Sequence, residues 1–161
     1  NNHCDTVCMA NIAQMVNVLQ AMILTEGSKM VLTPTYHVFA LYAAHQGAQQ
    51  LESYAETSIL RHDEEAVPTL HVSASRAADG EILVTAANLD AAHPAEVQVL
   101  LGGVKAAAVN GTVLCGTADA HNTFTAPDAV QPKALSAVLT ADGFTAALPA
   151  CSVAAFTVTP Q

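Results

Sequence analysis

The order of apolar and polar residues divides the chain into a helix-like first part and a strand-like second part. Between Asp5 and Thr25, polar side chains recur at every third position among mostly aliphatic residues; these positions are Asn11, Gln14, Asn17 and Gln20. The spacing predicts a helix over this segment, ended at Glu26-Gly27-Ser28 by a glycine suited to a left-handed stop. A helix this apolar needs partners on nearly every side. We therefore expect the chain to be the tail of a larger protein.

A second predicted helix starts at the Thr33-Pro34 pair and runs to about Gln46. Threonine is a favourable N-cap, and proline suits the first helical position. The residues from Gly47 to Pro68 are polar and charged, so we place a boundary there. The predicted organisation is two helices in residues 1–50, a transition segment in 51–68 and a β domain in 69–161.

From Thr69 onwards the apolar residues alternate with polar ones, which is the period of a half-buried strand. About seven short strands are predicted, beginning near Thr69, Glu81, Ala95, Ala107, Ala134, Phe144 and Ser152. Asp79-Gly80, Asn110-Gly111 and Asp142-Gly143 are interpreted as turns between them. Short strands at this regular spacing predict a mainly β fold, an antiparallel β-sandwich or jelly roll.

Composition narrows the classes of function. The 161 residues carry a net charge of −9 with only five basic residues, which disfavours binding to nucleic acid. The longest apolar run, near Val16 to Leu24, is too short to cross a membrane. Four scattered cysteines do not form a disulfide framework, so we expect reduced thiols and a cytoplasmic protein. Because no phosphate-binding or other cofactor motif occurs, no cofactor is predicted.

Three blocks of sequence carry a resemblance to a known family. ANIAQMVNVLQAMILT followed by MVLTPTYHVF resembles the closing part of the catalytic (β/α)8 barrel in α-L-arabinofuranosidases of glycoside hydrolase family 51. AHNTFTAPDAVQP, at Ala120 to Pro132, is similar to a signature of that family's C-terminal domain. LPACSVAAFTV, at Leu148 to Val158, is similar to its last strand. The resemblance implies that the two predicted helices end the barrel and that the sandwich follows it.

The resemblance implies a retaining glycosidase that removes terminal α-L-arabinofuranosyl groups from hemicellulose. Such a reaction needs two carboxylates about 5–5.5 Å apart. In the family both are glutamates upstream of the region that matches this chain, so no catalytic residue is predicted here and the chain alone is expected to be inactive. Glu52 and Glu56 lie at helical spacing and are interpreted, with the run Asp63-Glu64-Glu65, as solvated surface residues.

Gln14 is the single predicted substrate-binding residue. It matches the glutamine that in relatives hydrogen-bonds a sugar hydroxyl in the arabinose subsite. The alternative is an amide that bonds neighbouring backbone groups, which is the interpretation given to Asn11 and Asn17. His3, Cys4 and Cys8 match no zinc spacing, so no metal site is predicted. In the sandwich signature, Asn122 is interpreted as a loop residue that bonds the backbone and Phe124 as a core anchor.

Two classes of function follow. The chain is either the non-catalytic end of an arabinofuranosidase, which meets an arabinose-containing oligosaccharide only with the rest of the barrel, or a β-sandwich module for interaction, oligomerisation or carbohydrate binding. Sugar binding alone is the weaker alternative because the chain has no tryptophan and few aromatic platforms. In relatives an N-terminal segment adds strands to the sandwich. Without such a segment a sheet edge would stand open, so we expect a homo-oligomer.

Overall fold

The computed structural model describes residues 1–161 as thirteen strands, one α-helix and one 3-10 turn. In chain order they are β1 Ile23–Glu26, β2 Lys29–Leu32, α1 Pro34–Tyr42, the 3-10 turn Ala43–His45, β3 Gln49–Leu51, β4 Ile59–His62, β5 Glu65–Pro68, β6 Leu70–Arg76, β7 Ile82–Asn88, β8 Ala95–Leu100, β9 Ala106–Cys115, β10 Lys133–Leu135, β11 Ala137–Thr140, β12 Gly143–Leu148 and β13 Ser152–Pro160.

Nine of the strands form two sheets that pack face to face. The larger sheet has the order β10-β9-β13-β7-β6-β3, and the smaller has the order β11-β12-β8. All of these neighbouring strands are antiparallel. The pairs β1-β2 and β4-β5 are separate hairpins. The prediction of a mainly β antiparallel sandwich is therefore confirmed.

The core lies between the two sheets. Phe144 of β12 and Phe156 of β13 are both fully buried, and their ring centroids lie 4.9 Å apart. Aliphatic side chains from alternating strand positions surround them: Ile82, Val84, Ala86, Val113, Ala146, Leu148, Ala154 and Val158. The alternation seen in the sequence places these residues on one face of each strand, and their burial is the main stabilising contribution to the fold.

The opposite face of the larger sheet is covered by the first part of the chain. Helix α1 contacts β9 and β13, and the 3-10 turn contacts β6. His45 joins these layers, because its Nδ1 lies 2.7 Å from Ser75 Oγ and its Nε2 lies 3.0 Å from Thr85 Oγ1. Strand β7, with a neighbouring strand on each side and cover on both faces, is consequently buried along almost its whole length.

We expect this contact to make stability depend on pH. Burial lowers the pKa of His45, so the unfolded chain, with a histidine pKa of about 6.5, binds the proton more tightly than the folded chain. The free energy of unfolding should therefore fall as the pH drops through about 6.5 and level off below the folded pKa. Urea unfolding at about pH 7.5 and about pH 5.5 measures the effect.

The variant His45→Gln should lose part of that dependence, whereas the control His62→Gln should retain it because the His62 side chain is 94% exposed. An unchanged pH dependence in His45→Gln would contradict the assignment.

The first predicted helix, Asp5 to Thr25, is wrong. Residues 7–22 contain no regular element, and the residues that follow form the β1-β2 hairpin. Asn17 and Gln20 have φ angles of 55° and 60°, in the left-handed region that an α-helix cannot include. Gly27, with φ of 58°, belongs to the hairpin turn between β1 and β2 and not to a helix end. The predicted pair of helices before the sandwich is thus not found.

A helix does begin at Pro34, where the sequence predicted the start of the second helix. It ends at Tyr42, and the 3-10 turn continues it to His45. Thr33 makes no side-chain cap; its hydroxyl donates to the carbonyl oxygens of Ala21 and Met22 at 2.7 and 3.2 Å. The hydroxyl therefore ties the start of the helix to the irregular segment.

Two strand predictions are also corrected. Asn110-Gly111 is not a turn but lies inside β9, which runs unbroken over ten residues. A Cβ on Gly111 would lie 2.5 Å from the Leu135 carbonyl oxygen, so glycine is required there by the close approach of β10. The single strand predicted from Ala134 to Thr140 is divided into β10 and β11, which join different sheets.

Candidate functional site

Gln14 lies on the irregular segment that precedes β1. Its side chain is exposed and makes no hydrogen bond within the chain. The next residue is anchored, because the Ile23 N–H donates to the Met15 carbonyl oxygen at 3.0 Å. Gln14 is thus held by its backbone neighbours while its amide, with two donors and one acceptor oxygen, is open to an external hydroxyl group.

The two asparagines near Gln14 differ from each other. Asn11 is exposed and makes no side-chain hydrogen bond. Asn17 bonds Thr25 twice: its Oδ1 accepts from the Thr25 N–H at 2.7 Å, and its Nδ2 donates to Thr25 Oγ1 at 2.9 Å. The interpretation of Asn17 as a backbone-bonding amide agrees with this geometry. These two hydrogen bonds to β1 were missed because the segment was predicted to be helical.

The acidic side chains do not form a shielded pair. All of them are exposed except Asp90. Glu26 ends β1, and Glu65 begins β5, preceded by Asp63 and Glu64 in the turn of the β4-β5 hairpin. Glu52 and Glu56 are exposed, as predicted, and lie in a segment without helix or strand. A general acid in glycoside hydrolysis needs a raised pKa, which exposure to water does not provide.

Asp90 organises the loop between β7 and β8. Its Oδ1 accepts from the N–H groups of Ala92 and His93 at 2.8 and 3.0 Å, and its Oδ2 lies 3.0 Å from His93 Nδ1. The backbone hydrogen bond from Ala92 and the His93 side chain lower the pKa of Asp90. The hydroxyl of Thr117, which donates to Asp119 at 2.7 Å, likewise lowers the pKa of Asp119. These carboxylates stay ionised and serve as hydrogen-bond acceptors in loops.

No metal centre is formed. No group of three or more His, Cys, Asp or Glu side chains is placed to hold a metal ion. Cys4 and Cys8 are exposed free thiols, and the Cys4 thiol lies 3.3 Å from Gln50 Oε1. No helix has the length and hydropathy needed to span a bilayer.

The loop after β9 is fixed to the first part of the chain by Asn122. Its buried side chain donates to the carbonyl oxygens of Leu32 and Val130, both at 2.8 Å, and accepts from the Val130 N–H at 2.7 Å. This geometry agrees with the interpretation of Asn122 as a loop residue that bonds the backbone. Phe124 is only half-buried and lies outside the core cluster.

An apolar cleft opens at one side of the sandwich. The smaller sheet ends at β8, which has a strand neighbour on only one side, so the larger sheet extends beyond it. The cleft between them has a volume of about 820 Å³. Val72 and Ala74 of β6 line one wall, and Val97 and Val99 of β8 line the other. Glu52, Glu56 and Glu96 are among its polar residues.

The fold consists of two antiparallel sheets around one apolar core, with a free sheet edge and no shielded carboxylate pair. Its class is that of a β-sandwich domain. The sequence profile of the α-L-arabinofuranosidase C-terminal domain matches residues 1–152. The chain belongs to that family, and it corresponds to the C-terminal portion of glycoside hydrolase family 51 arabinofuranosidases.

Individual relatives agree with the family. An intracellular exo-α-L-arabinofuranosidase of Bacteroides ovatus is 41% identical over 82% of this chain. The crystal structure of the arabinofuranosidase from Xanthomonas axonopodis pv. citri superposes on 98% of the chain with a TM-score of 0.92 and 46% identity. The family 51 enzyme of Bifidobacterium longum superposes on 97% with a TM-score of 0.85 and 29% identity.

These relatives are much longer than this chain. The chain covers 26% of the Bacteroides enzyme and 32% and 31% of the two crystallised chains. It therefore spans about a quarter to a third of the proteins to which it is similar.

Proposed function

We propose that this chain acts as the C-terminal part of a retaining α-L-arabinofuranosidase that removes terminal α-L-arabinofuranosyl groups from hemicellulose. The observation that carries the proposal is the match of this chain and its fold to family 51 enzymes, and the exposed Gln14 amide is available for a hydrogen bond to substrate. The Bacteroides relative is described as intracellular, and so is an exo-α-(1→5)-L-arabinofuranosidase of Bifidobacterium longum that is 31% identical to this chain, which supports a cytoplasmic enzyme. In this proposal residues 1–50 contribute to the barrel, 51–68 connect, and 69–161 form the sandwich, to which β3 adds an edge strand of the larger sheet.

The catalytic carboxylates of the proposed reaction lie outside this chain. A retaining glycosidase needs a nucleophile and an acid/base about 5–5.5 Å apart, one of them with a raised pKa. The exposure of the acidic side chains and the lowered pKa values of Asp90 and Asp119 are unsuited to these roles. The chain alone is accordingly proposed to be inactive, and its contribution to the site is Gln14.

The variant Gln14→Ala tests this contribution in the complete gene product. A neutral hydrogen bond is worth about 0.5–1.5 kcal/mol, and hydrogen bonds to sugar hydroxyls strengthen in the transition state, so kcat/KM should fall about tenfold. Steady-state hydrolysis of a chromogenic α-L-arabinofuranoside measures the change. Asn11→Ala is the matched control, since Asn11 is another exposed, unbonded amide on the same segment, and it should keep the wild-type rate. Equal rates for Gln14→Ala and the wild type would refute the role of Gln14.

The second candidate function is assembly of a homo-oligomer. Two observations favour it: the free edge of β8 beside the apolar cleft, and the apolar side chains exposed on the first part of the chain, among them Met9, Met15, Leu19 and Met30. Unpaired strand edges favour association with another chain. Sedimentation of this chain at rising concentration should show self-association; a single monomeric species throughout would rule it out.

A further inference from the structure

Asn17 is an unusual residue in the segment that carries Gln14. Its φ of 55° lies in the left-handed region, which only glycine adopts freely and asparagine adopts more readily than most residues. A left-handed conformation costs free energy for any residue other than glycine, and it persists where contacts with the surrounding structure enforce it. In this chain the surroundings are a set of hydrogen bonds to β1.

Four hydrogen bonds connect residues 15–17 to β1. The Ile23 N–H donates to the Met15 carbonyl oxygen at 3.0 Å, and the Asn17 N–H donates to the Ile23 carbonyl oxygen at 3.1 Å. The Asn17 side chain then accepts from the Thr25 N–H and donates to Thr25 Oγ1. The two backbone hydrogen bonds reach only Ile23. The Asn17 side chain alone bonds a residue further along β1, Thr25, and it uses both of its polar atoms.

We propose that Asn17 is a positioning residue for Gln14, holding the irregular segment on β1 so that the Gln14 amide points at a fixed place in the arabinose subsite. The inference rests on the proposed role of Gln14. Gln14 has no side-chain partner of its own within the chain, and residues 7–22 have no helix or strand to fix them. The direction of its amide therefore depends on the backbone of the next three residues.

The choice of asparagine follows from the geometry. The position needs an acceptor for the Thr25 N–H, a second polar atom for the Thr25 hydroxyl and tolerance of positive φ. Aspartate meets these needs because its second oxygen can accept from the Thr25 hydroxyl. Glycine meets only the backbone requirement. Asn17→Gly thus removes the two side-chain hydrogen bonds to Thr25 without adding backbone strain. Asn17→Asp is the conservative replacement.

A double-mutant cycle in the complete gene product tests whether Asn17 acts through Gln14. We expect Gln14→Ala to lower kcat/KM about tenfold and Asn17→Gly to lower it about three- to tenfold. The double variant should have a kcat/KM within about twofold of that of Gln14→Ala alone. Once the Gln14 amide has been removed, the loss of its positioning has no further effect. Asn17→Asp should restore kcat/KM to within about twofold of the wild type.

Gln20→Gly is the matched control, since Gln20 is also left-handed but makes no side-chain hydrogen bond, and it should keep the wild-type kcat/KM. Should Asn17→Gly fail to fold, Thr25→Val, which removes the hydroxyl partner of Asn17, takes its place in the cycle under the same criterion.

If the losses of kcat/KM in Asn17→Gly and Gln14→Ala multiply in the double variant, the positioning role is overturned. The proposed function is left intact by that result. An unchanged kcat/KM in Asn17→Gly would do the same. An unchanged kcat/KM in Gln14→Ala would overturn the role of Gln14 in the proposed function, and the positioning role with it.

Discussion

Replacing Phe156 with alanine is expected to lower the free energy of unfolding by about 3–5 kcal/mol, the range for fully buried aromatic side chains. Phe156 has no exposed surface, and its ring packs against Phe144 of the opposite sheet. It also lies on β13, which pairs with both β7 and β9 in the middle of the larger sheet. Because surrounding residues relax only partly into the space left by a deleted ring, the cavity adds to the lost burial.

Urea unfolding of wild type and variant measures this loss, with Phe39→Ala as the matched control. Phe39 lies on α1 and is 43% exposed, so its removal should cost clearly less than that of Phe156. Equal costs for the two variants would show that the two-sheet core is not the main source of stability.

The sandwich was predictable because its signals are local. The alternation from Leu70 to Ala74 and the Asp79-Gly80 pair predicted the β6-β7 hairpin, where Gly80 has a φ of 93° and the Glu81 N–H donates to Asp79 Oδ1 at 3.1 Å. Each of these features depends on residues within a few positions of one another. Strand order and the free edge of β8 depend on contacts between distant segments, which alternation does not encode.

The prediction failed in two segments whose local sequence favours a structure other than the one that forms. The run from Met9 to Leu24 is apolar enough for a buried helix, but the left-handed Asn17 and Gln20 interrupt it. Asn110-Gly111 is a strong turn signal by itself, yet the neighbouring carbonyl of Leu135 makes Gly111 a strand residue. In the first segment hydrogen bonds to β1, and in the second the close approach of β10, outweigh the local preference.

The candidate site was predictable only in part. Gln14 was predicted through a resemblance, because a single exposed amide has no spacing pattern to mark it, and its role stays a prediction. The hydrogen bonds between Asn17 and Thr25 join residues eight positions apart, within a segment that was predicted as helix. A wrong secondary structure therefore concealed the side chain that we propose positions Gln14.

The absence of catalysis by this chain alone is the second large effect expected. Enzymes of this kind accelerate hydrolysis by many orders of magnitude, and that acceleration depends on two carboxylates that act together. The proposed division of the site leaves this chain without such a pair, and one hydrogen bond from Gln14 would supply only a small part of the acceleration. Far-ultraviolet circular dichroism of the purified chain provides the control that it is folded with a high strand content.

The measurement that tests the central claim most directly is hydrolysis of a chromogenic α-L-arabinofuranoside by the purified, folded chain, beside the complete gene product at equal molar concentration. We predict release of the chromophore by the complete product and none above the buffer blank by the chain. Hydrolysis by the chain at a rate comparable with that of the complete product would contradict the claim that the catalytic carboxylates lie outside it.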